Sequence, residues 1–203
     1  YVQLRELDMD AIKHLRYPLV VKPVDAYSSK GVRKVWEESE IDGFFKDASN
    51  ISRSGEVIVE EFCDGIEISV DAFVEDGKAN ILCVSNSEKI KDDNRFVIFR
   101  GRYPISMTEQ LKDRIQTVAQ QIVDAFELKN CPLLIQMIST GTDVSVLEFC
   151  ARTGGNMKYM LIKAASGVDV IEAVIDLTLG IKPEIVIEEP VSKYIVNDFI
   201  YCE

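Results

Sequence analysis

The chain has 203 residues, with 23 Lys plus Arg against 34 Asp plus Glu for a formal charge of −11; 47% of it is hydrophobic and 28% charged. This is the balance of a folded protein with its own core, long enough for one domain or two small lobes, and it excludes a disordered chain. The acidic excess argues against nucleic-acid partners, which need clustered positive charge, and no apolar run reaches the roughly 18 residues of a membrane span.

Taken in order, residues 6–15 read as a short helix stopped before Pro18. Leu19-Val20-Val21-Lys22-Pro23 is a brief apolar run ending in a lysine, a buried strand. Residues 25–31 form a Ser-containing loop, 32–36 alternate like a strand, and 38–48 carry a helical stripe through Ile41, Phe44 and Phe45. Residues 57–59 are a strand, and Asp64-Gly65 breaks the run that follows. Residues 67–75 alternate, Asp76-Gly77 is a two-residue hairpin signal, and 79–84 return. Residues 85–95 read as an exposed mobile loop and 96–103 as a strand. Ser106-Met107-Thr108-Glu109 has the form of a capping box. It opens a long helix whose apolar face is Leu111, Ile115, Val118, Ile122, Ala125 and Phe126.

Strands over 133–138 and 144–149 flank Gly141. Helices follow over 157–166 and 169–179, and 191–201 is a candidate last strand. Trp36 and the phenylalanines read as core. The mixture is α+β, antiparallel sheets covered on one side by helices. Five cysteines (Cys63, Cys83, Cys131, Cys150, Cys202) without a CxxC pair fit neither a zinc site nor a disulfide scaffold and suggest a reducing, cytoplasmic setting. With no signal peptide visible and Tyr1 in place of Met, the chain reads as a fragment of a longer polypeptide.

The segment around Gly141 is the most informative. A three-residue turn over 141–143 pairs 140 with 144, 138 with 146, 136 with 148 and 134 with 150. Gln136 then lies opposite Glu148, with side chains about 5 Å apart on one face. Continued alternation turns Cys150 and Arg152 the same way. A loop one residue longer or shorter pairs Gln136 with Leu147 instead. An amide oxygen beside a carboxylate suits a hard cation such as Mg2+. Arg152 could steady a phosphoryl group, and Gly154-Gly155 lets backbone approach a ligand. A structural Glu148–Arg152 ion pair explains the same spacing equally well.

Lys22, at the end of a buried strand, needs a partner, and a phosphate is one candidate; an ordinary strand-end lysine is the other. Lys30-Gly31 is a second phosphate candidate, or a plain surface turn. Backbone freed near Glu61 and Cys63 could meet a base edge, and Glu67 could accept from ribose hydroxyls. The single histidine, His14, reads as surface.

The order of these elements resembles the ATP-grasp superfamily, in particular carboxylate–amine ligases and the ATP-grasp modules of carbamoyl-phosphate synthase large subunits. The resemblance spans nearly the whole chain. Tyr17-Pro18-Leu19-Val20-Val21-Lys22-Pro23 looks like the nucleotide-binding lysine strand, and 25–31 takes the place of the phosphate-covering loop. Val59-Glu60-Glu61-Phe62-Cys63-Asp64-Gly65-Ile66-Glu67 looks like the hinge, and Glu148-x-Cys150-x-Arg152-x-Gly154-Gly155 like the metal and phosphate segment.

The resemblance implies an ATP-grasp fold of two lobes, 1–62 and 63–203, each an antiparallel sheet with packed helices, with the nucleotide between them. It implies ATP and Mg2+ as cofactors. Lys22 would contact the α/β-phosphates, and Ser28, Ser29, Lys30 and Gly31 would cover the phosphates. Glu60 belongs to the acidic hinge pair; the backbone of Glu61, Phe62 and Cys63 would meet adenine, and Glu67 the ribose. Gln136 and Glu148 would bind metal, and Arg152 would be catalytic. The partners implied are a small-molecule carboxylate and an amine, together with an amino-terminal domain of the same polypeptide before Tyr1. A homodimer is left open. Cys150 stands where the family has Asn, and a thiol is a soft, poor Mg2+ ligand; Asn156 is a substitute for it. Besides ligation, the residues admit a regulatory nucleotide-binding module or an interaction domain without nucleotide.

Overall fold

The computed structural model describes residues 1–90, 96–155, 157–190 and 194–199. Two compact units emerge: residues 1–63 with 89–98, and residues 64–88 with 99–203.

The first unit contains β1 (Val2–Leu4), α1 (Met9–Ile12), β2 (Leu19–Pro23), β3 (Arg33–Val35), α2 (Glu38–Ile51) and β4 (Val57–Glu61). The strands form an antiparallel sheet ordered β1-β4-β2-β3. The helical stripe of α2 buries Ile41, Phe45 and Ala48 against Leu19, Val21, Val35, Val57 and Val59. Each such aliphatic side chain contributes about 1.5–3 kcal/mol when fully withdrawn from water. The Glu40 carboxylate accepts from the Trp36 and Glu37 amides at 2.7 and 3.4 Å, closing the amino end of α2.

The helix expected over 6–15 is a single turn. Asp8 caps it, and the chain leaves it through a turn in which Leu15 N donates to Ile12 O at 2.9 Å. Trp36 is not core. It is 52% exposed, with Lys34 Nζ 3.9 Å from its ring centre and 3.5 Å from that of Phe62.

The second unit contains β5 (Ile66–Glu75), β6 (Lys78–Lys89) and β7 (Ile98–Tyr103) except for Lys89 and Ile98, and α3 (Glu109–Ala125), β8 (Cys131–Ser139), β9 (Val144–Cys150), α4 (Lys158–Ser166), α5 (Val170–Thr178) and β10 (Ile195–Asp198). Its sheet is ordered β10-β7-β6-β5-β8-β9. Asp76 and Gly77, both at positive φ, make the expected two-residue turn between β5 and β6.

Helices cover both faces of this sheet, not one. Val70, Ala72, Val74, Ile135 and Met137 pack with Leu111, Ile115 and Ala119 of α3. Phe73, Leu82 and Cys83 pack on the other side with Leu161, Ile162, Val170 and Ala173 of α4 and α5. Consequently every residue from Glu67 to Val74 is buried.

Three further expectations change. Residues 85–89 are strand, because Ser85 pairs with Ser69 and Asn86 accepts the Arg102 amide at 3.0 Å; residues 91–95 lie outside the described set. The capping residue of α3 is Thr108, whose hydroxyl accepts from Leu111 N at 3.2 Å. Ile105 and Met107 before it both pack against the α3 core. The last strand is β10, bonded to β7; the other residues expected there, 191–193 and 200–201, lie outside the described set.

Candidate functional site

The β8–β9 pair places Gln136 directly opposite Glu148, and Leu134 opposite Cys150. The route to that register differs from the expected one. The turn spans four residues, Thr140 to Asp143, with Thr140 N donating to Asp143 O at 3.0 Å; Ser139 pairs with Val144 and Ile138 with Ser145. Carried on, that ladder would oppose Gln136 to Leu147. A bulge at Leu147, between the Met137–Val146 and Gln136–Glu148 pairs, restores the register. Arg114 of α3 holds the turn through Asp143 at 2.6 Å, the contact that keeps the Asp143 carboxyl below the usual range.

Gln136 is half-buried and Glu148 exposed. Among the described residues neither side chain has a hydrogen bond or ion pair of its own, and no ion pair joins Glu148 to Arg152. Arg152 is exposed and donates to the Thr153 carbonyl at 2.8 Å. Two uncommitted oxygen-bearing groups abreast on one sheet face fit a hard divalent cation that takes its remaining ligands from phosphate oxygens and water. Cys150, exposed and two residues along the same strand face, adds a soft donor. Asn156 lies outside the described set.

Strand pairing extends this face inward. Gln136 pairs with Ser69, Leu134 with Asp71 and Ile138 with Glu67; Ser85 pairs with Ser69. Glu67, Ser69, Asp71 and Ser85 are all buried. Gly65, at φ +153°, leads into this strand against β8; a Cβ there would meet Ser139 O at 2.5 Å and Ile138 Cγ2 at 2.6 Å. The glycine of the hinge pattern is thus required for close backbone approach.

Asp71 and Lys158 went unread in the sequence. Asp71 is 3% exposed and among the described residues neither carboxylate oxygen has a hydrogen bond; Lys158 Nζ, at the start of α4, is 3.4 Å from Oδ2 and donates to Ser85 Oγ at 2.5 Å. Burial pushes the Asp71 carboxyl up, against the opposing pull of Lys158 and then Arg152. Burial also drives the neighbouring Cys83 thiol up to about 12, with the Asp71 charge adding to it, so this cysteine is inert. The usable signal was the polar triplet Glu67, Ser69, Asp71 at strand period between apolar residues.

In the first unit, Lys22 ion-pairs with Glu60 at 2.5 Å, both side chains about three-quarters buried. The partner of this lysine is therefore a carboxylate of the neighbouring strand. Glu61 is engaged by Arg16 at 3.0 Å, which lowers its pKa. The Phe62 amide donates to Pro18 O at 2.9 Å and is not free for a base edge; Cys63 is half-buried just beyond the strand.

Ser28 and Ser29 sit at positive φ in an exposed loop, and Lys30 Nζ lies 4.4 Å from the Tyr27 ring centre. Gly31 is not exposed over this loop. It is buried at φ +74°, where a Cβ would meet Ile51 and Pro23 side chains at 2.8 Å. Asp25 anchors the loop's base by accepting from Ser52 Oγ, Arg53 N and Ser54 N at 2.9–3.1 Å. Burial alone would raise its pKa; these bonds outweigh it and hold it low.

Residues 15–159 match the family model of the ATP-grasp domain. The chain belongs to the ATP-grasp family. It is 22% identical over 178 residues to human mitochondrial carbamoyl-phosphate synthase [ammonia], covering 85% of this chain and 11% of that protein. It is 26% identical over 180 residues to the D-alanine--D-alanine ligase of Parabacteroides distasonis, covering 84% of this chain and 53% of the ligase. The crystal structure of L-amino acid ligase from Bacillus licheniformis superposes with a TM-score of 0.72 at 22% identity, over 88% of this chain and 43% of that one. The α+β ATP-grasp fold is thereby established. The chain spans only part of the length of each of these relatives.

Proposed function

We propose that this chain is the Mg-ATP-binding part of a ligase that activates a carboxylate for attack by an amine. The observation that carries this reading is the Gln136–Glu148 pair, abreast and uncommitted, with Arg152 four residues on along the glycine turn. When bound, Mg2+ would neutralise charge on the terminal phosphates of ATP. Gln136 and Glu148 would hold it, and Arg152 would donate to the transferring phosphoryl group. A substrate carboxylate oxygen attacks the γ-phosphorus and ADP leaves. An amine then attacks the acyl carbon of the acyl phosphate and inorganic phosphate leaves.

Positioning and charge neutralisation carry such a reaction, with no covalent role for the protein. In the first unit, Lys22, Ser28, Ser29 and Lys30 are the proposed phosphate contacts. Lys22 would exchange Glu60 for phosphate or reach it while paired. Glu61, Cys63 and Glu67 are the proposed contacts to the nucleoside. D-Alanine--D-alanine ligase and carbamoyl-phosphate synthase among the relatives support a small carboxylate or an equivalent acid as the acceptor.

Cys150 supports a second reading, a nucleotide-binding regulatory module without turnover, because it puts a thiol where the family's second oxygen ligand stands. ADP release from Mg-ATP separates the two. Release that depends on an added mixture of amino acids and is lost in Glu148→Ala supports ligation. Binding without release supports the regulatory module, and no binding contradicts both.

A further inference from the structure

The turn that carries Arg152 lies over a buried, charged cluster. Gly154 comes so close to it that a Cβ would stand 3.0 Å from Asp71 Oδ1 and 2.9 Å from Lys158 Cγ. Lys158, the first residue of α4, sends its side chain down to Ser85 Oγ and to within 3.4 Å of Asp71 Oδ2. Asp71 sits in the middle of β5, directly opposite Leu134 and two residues from the partner of Gln136.

A buried carboxylate with no hydrogen bond among the described residues is costly and calls for an explanation. A ligand cation is a poor explanation, because the Lys158 ammonium already occupies the cationic side. Replacing a whole buried ion pair with hydrophobic side chains is often no less stable, so stability alone does not account for the charge. What the charge does achieve is to draw the first residue of α4 onto the sheet and to add a negative field near Arg152.

We propose that Asp71 is a positioning residue that acts through Lys158 to hold Gly154 and the first residue of α4 against the sheet, and so sets the place of Arg152 beside the Gln136–Glu148 pair. It does not touch the reacting groups. Ser85 shares the task by fixing the lysine's ammonium. Gly154 is needed because any side chain there would lift the segment. The consequence for phosphoryl recognition rests on the proposed function; the consequence for the order of the segment does not.

The test uses the full chain and a repacked variant, Asp71→Leu with Lys158→Met, which removes both charges and keeps the branching of the first side chain and roughly the length of the second. Amide hydrogen exchange is read across residues 152–160, and affinity is measured for AMPPNP with Mg2+ and for AMP. The expected result is a melting temperature close to that of the unaltered chain, faster exchange confined to 152–160, and AMPPNP affinity lower by on the order of tenfold. AMP, which lacks the terminal phosphates, binds unchanged.

Exchange at the unaltered rate in this variant overturns the proposal, as does loss of affinity for both nucleotides alike. If the repacked chain does not fold, Asp71→Asn read by the same exchange decides the matter. An unaltered chain that binds neither nucleotide overturns the proposed function, while the exchange result still judges Asp71.

Discussion

Gln136 faces Glu148 across β8 and β9 because an extra residue in one strand, the bulged Leu147, offsets an extra residue in the turn, Thr140. The pair is maintained by backbone register, and among the described residues no bond joins it to neighbouring side chains. Removing either functional group should therefore leave the fold intact. Glu148→Ala and Gln136→Leu are expected to change unfolding free energy by no more than about 0.5 kcal/mol, the range of surface substitutions without lost partners. Urea denaturation of both variants checks this.

Gly65 presents the opposite case. Its Cβ would collide with the Ser139 carbonyl and Ile138, at a φ that L side chains rarely adopt. Gly65→Ala should cost about 2–4 kcal/mol, from overpacking plus backbone strain. The same denaturation experiment reads it, and a loss within 0.5 kcal/mol, about the size of a surface effect, would contradict the close approach.

Much of this arrangement was legible in the residues. Strand alternation and the Asp76-Gly77 and Asp64-Gly65 signals located β5 and its turns. Asp169 and Gly180 located the ends of α5. The 136–148 pairing was legible only through two deviations that cancel, a turn one residue longer than inferred and a bulge that no propensity announces. Residues 85–89 misled because their polarity looks like a loop, while burial of Ser85 and pairing of Asn86 satisfy those polar groups inside a sheet. Asp71 and Lys158 were illegible as a pair, since 87 positions separate them and only the second layer of helices brings them together. Gly31 read as ligand-facing, but steric packing against Pro23 and Ile51 explains it.

Acid should weaken the second unit through Asp169. Its carboxylate accepts from Lys163 at 2.8 Å and caps α5 at the Ile171 and Glu172 amides, and the lysine is the largest cause of its lowered pKa. A carboxyl lowered on folding contributes stability above its unfolded value near 3.9, and that stability is lost as pH falls through the folded value. Asp169→Ala should cost about 1 kcal/mol at pH 7. The difference from the unaltered chain should shrink as pH falls below the unfolded value, as measured by urea midpoints along an acid series.

Cys150 is exposed on the strand face of Glu148. Replacing its soft sulfur with an amide oxygen should improve the fit for Mg2+. In Cys150→Asn, the Mg2+ concentration at half-maximal AMPPNP binding should move lower, with the melting temperature of the nucleotide-free protein unchanged. An unmoved midpoint would show that position 150 stands apart from the metal.

Calorimetric titration of AMPPNP into the full chain, with and without Mg2+ and in Glu148→Ala, bears most directly on the pairing of Gln136 with Glu148 as a metal grip. Binding that needs Mg2+ and loses that dependence in Glu148→Ala is the predicted result. Equal, Mg2+-dependent binding by Glu148→Ala and the unaltered chain would contradict it.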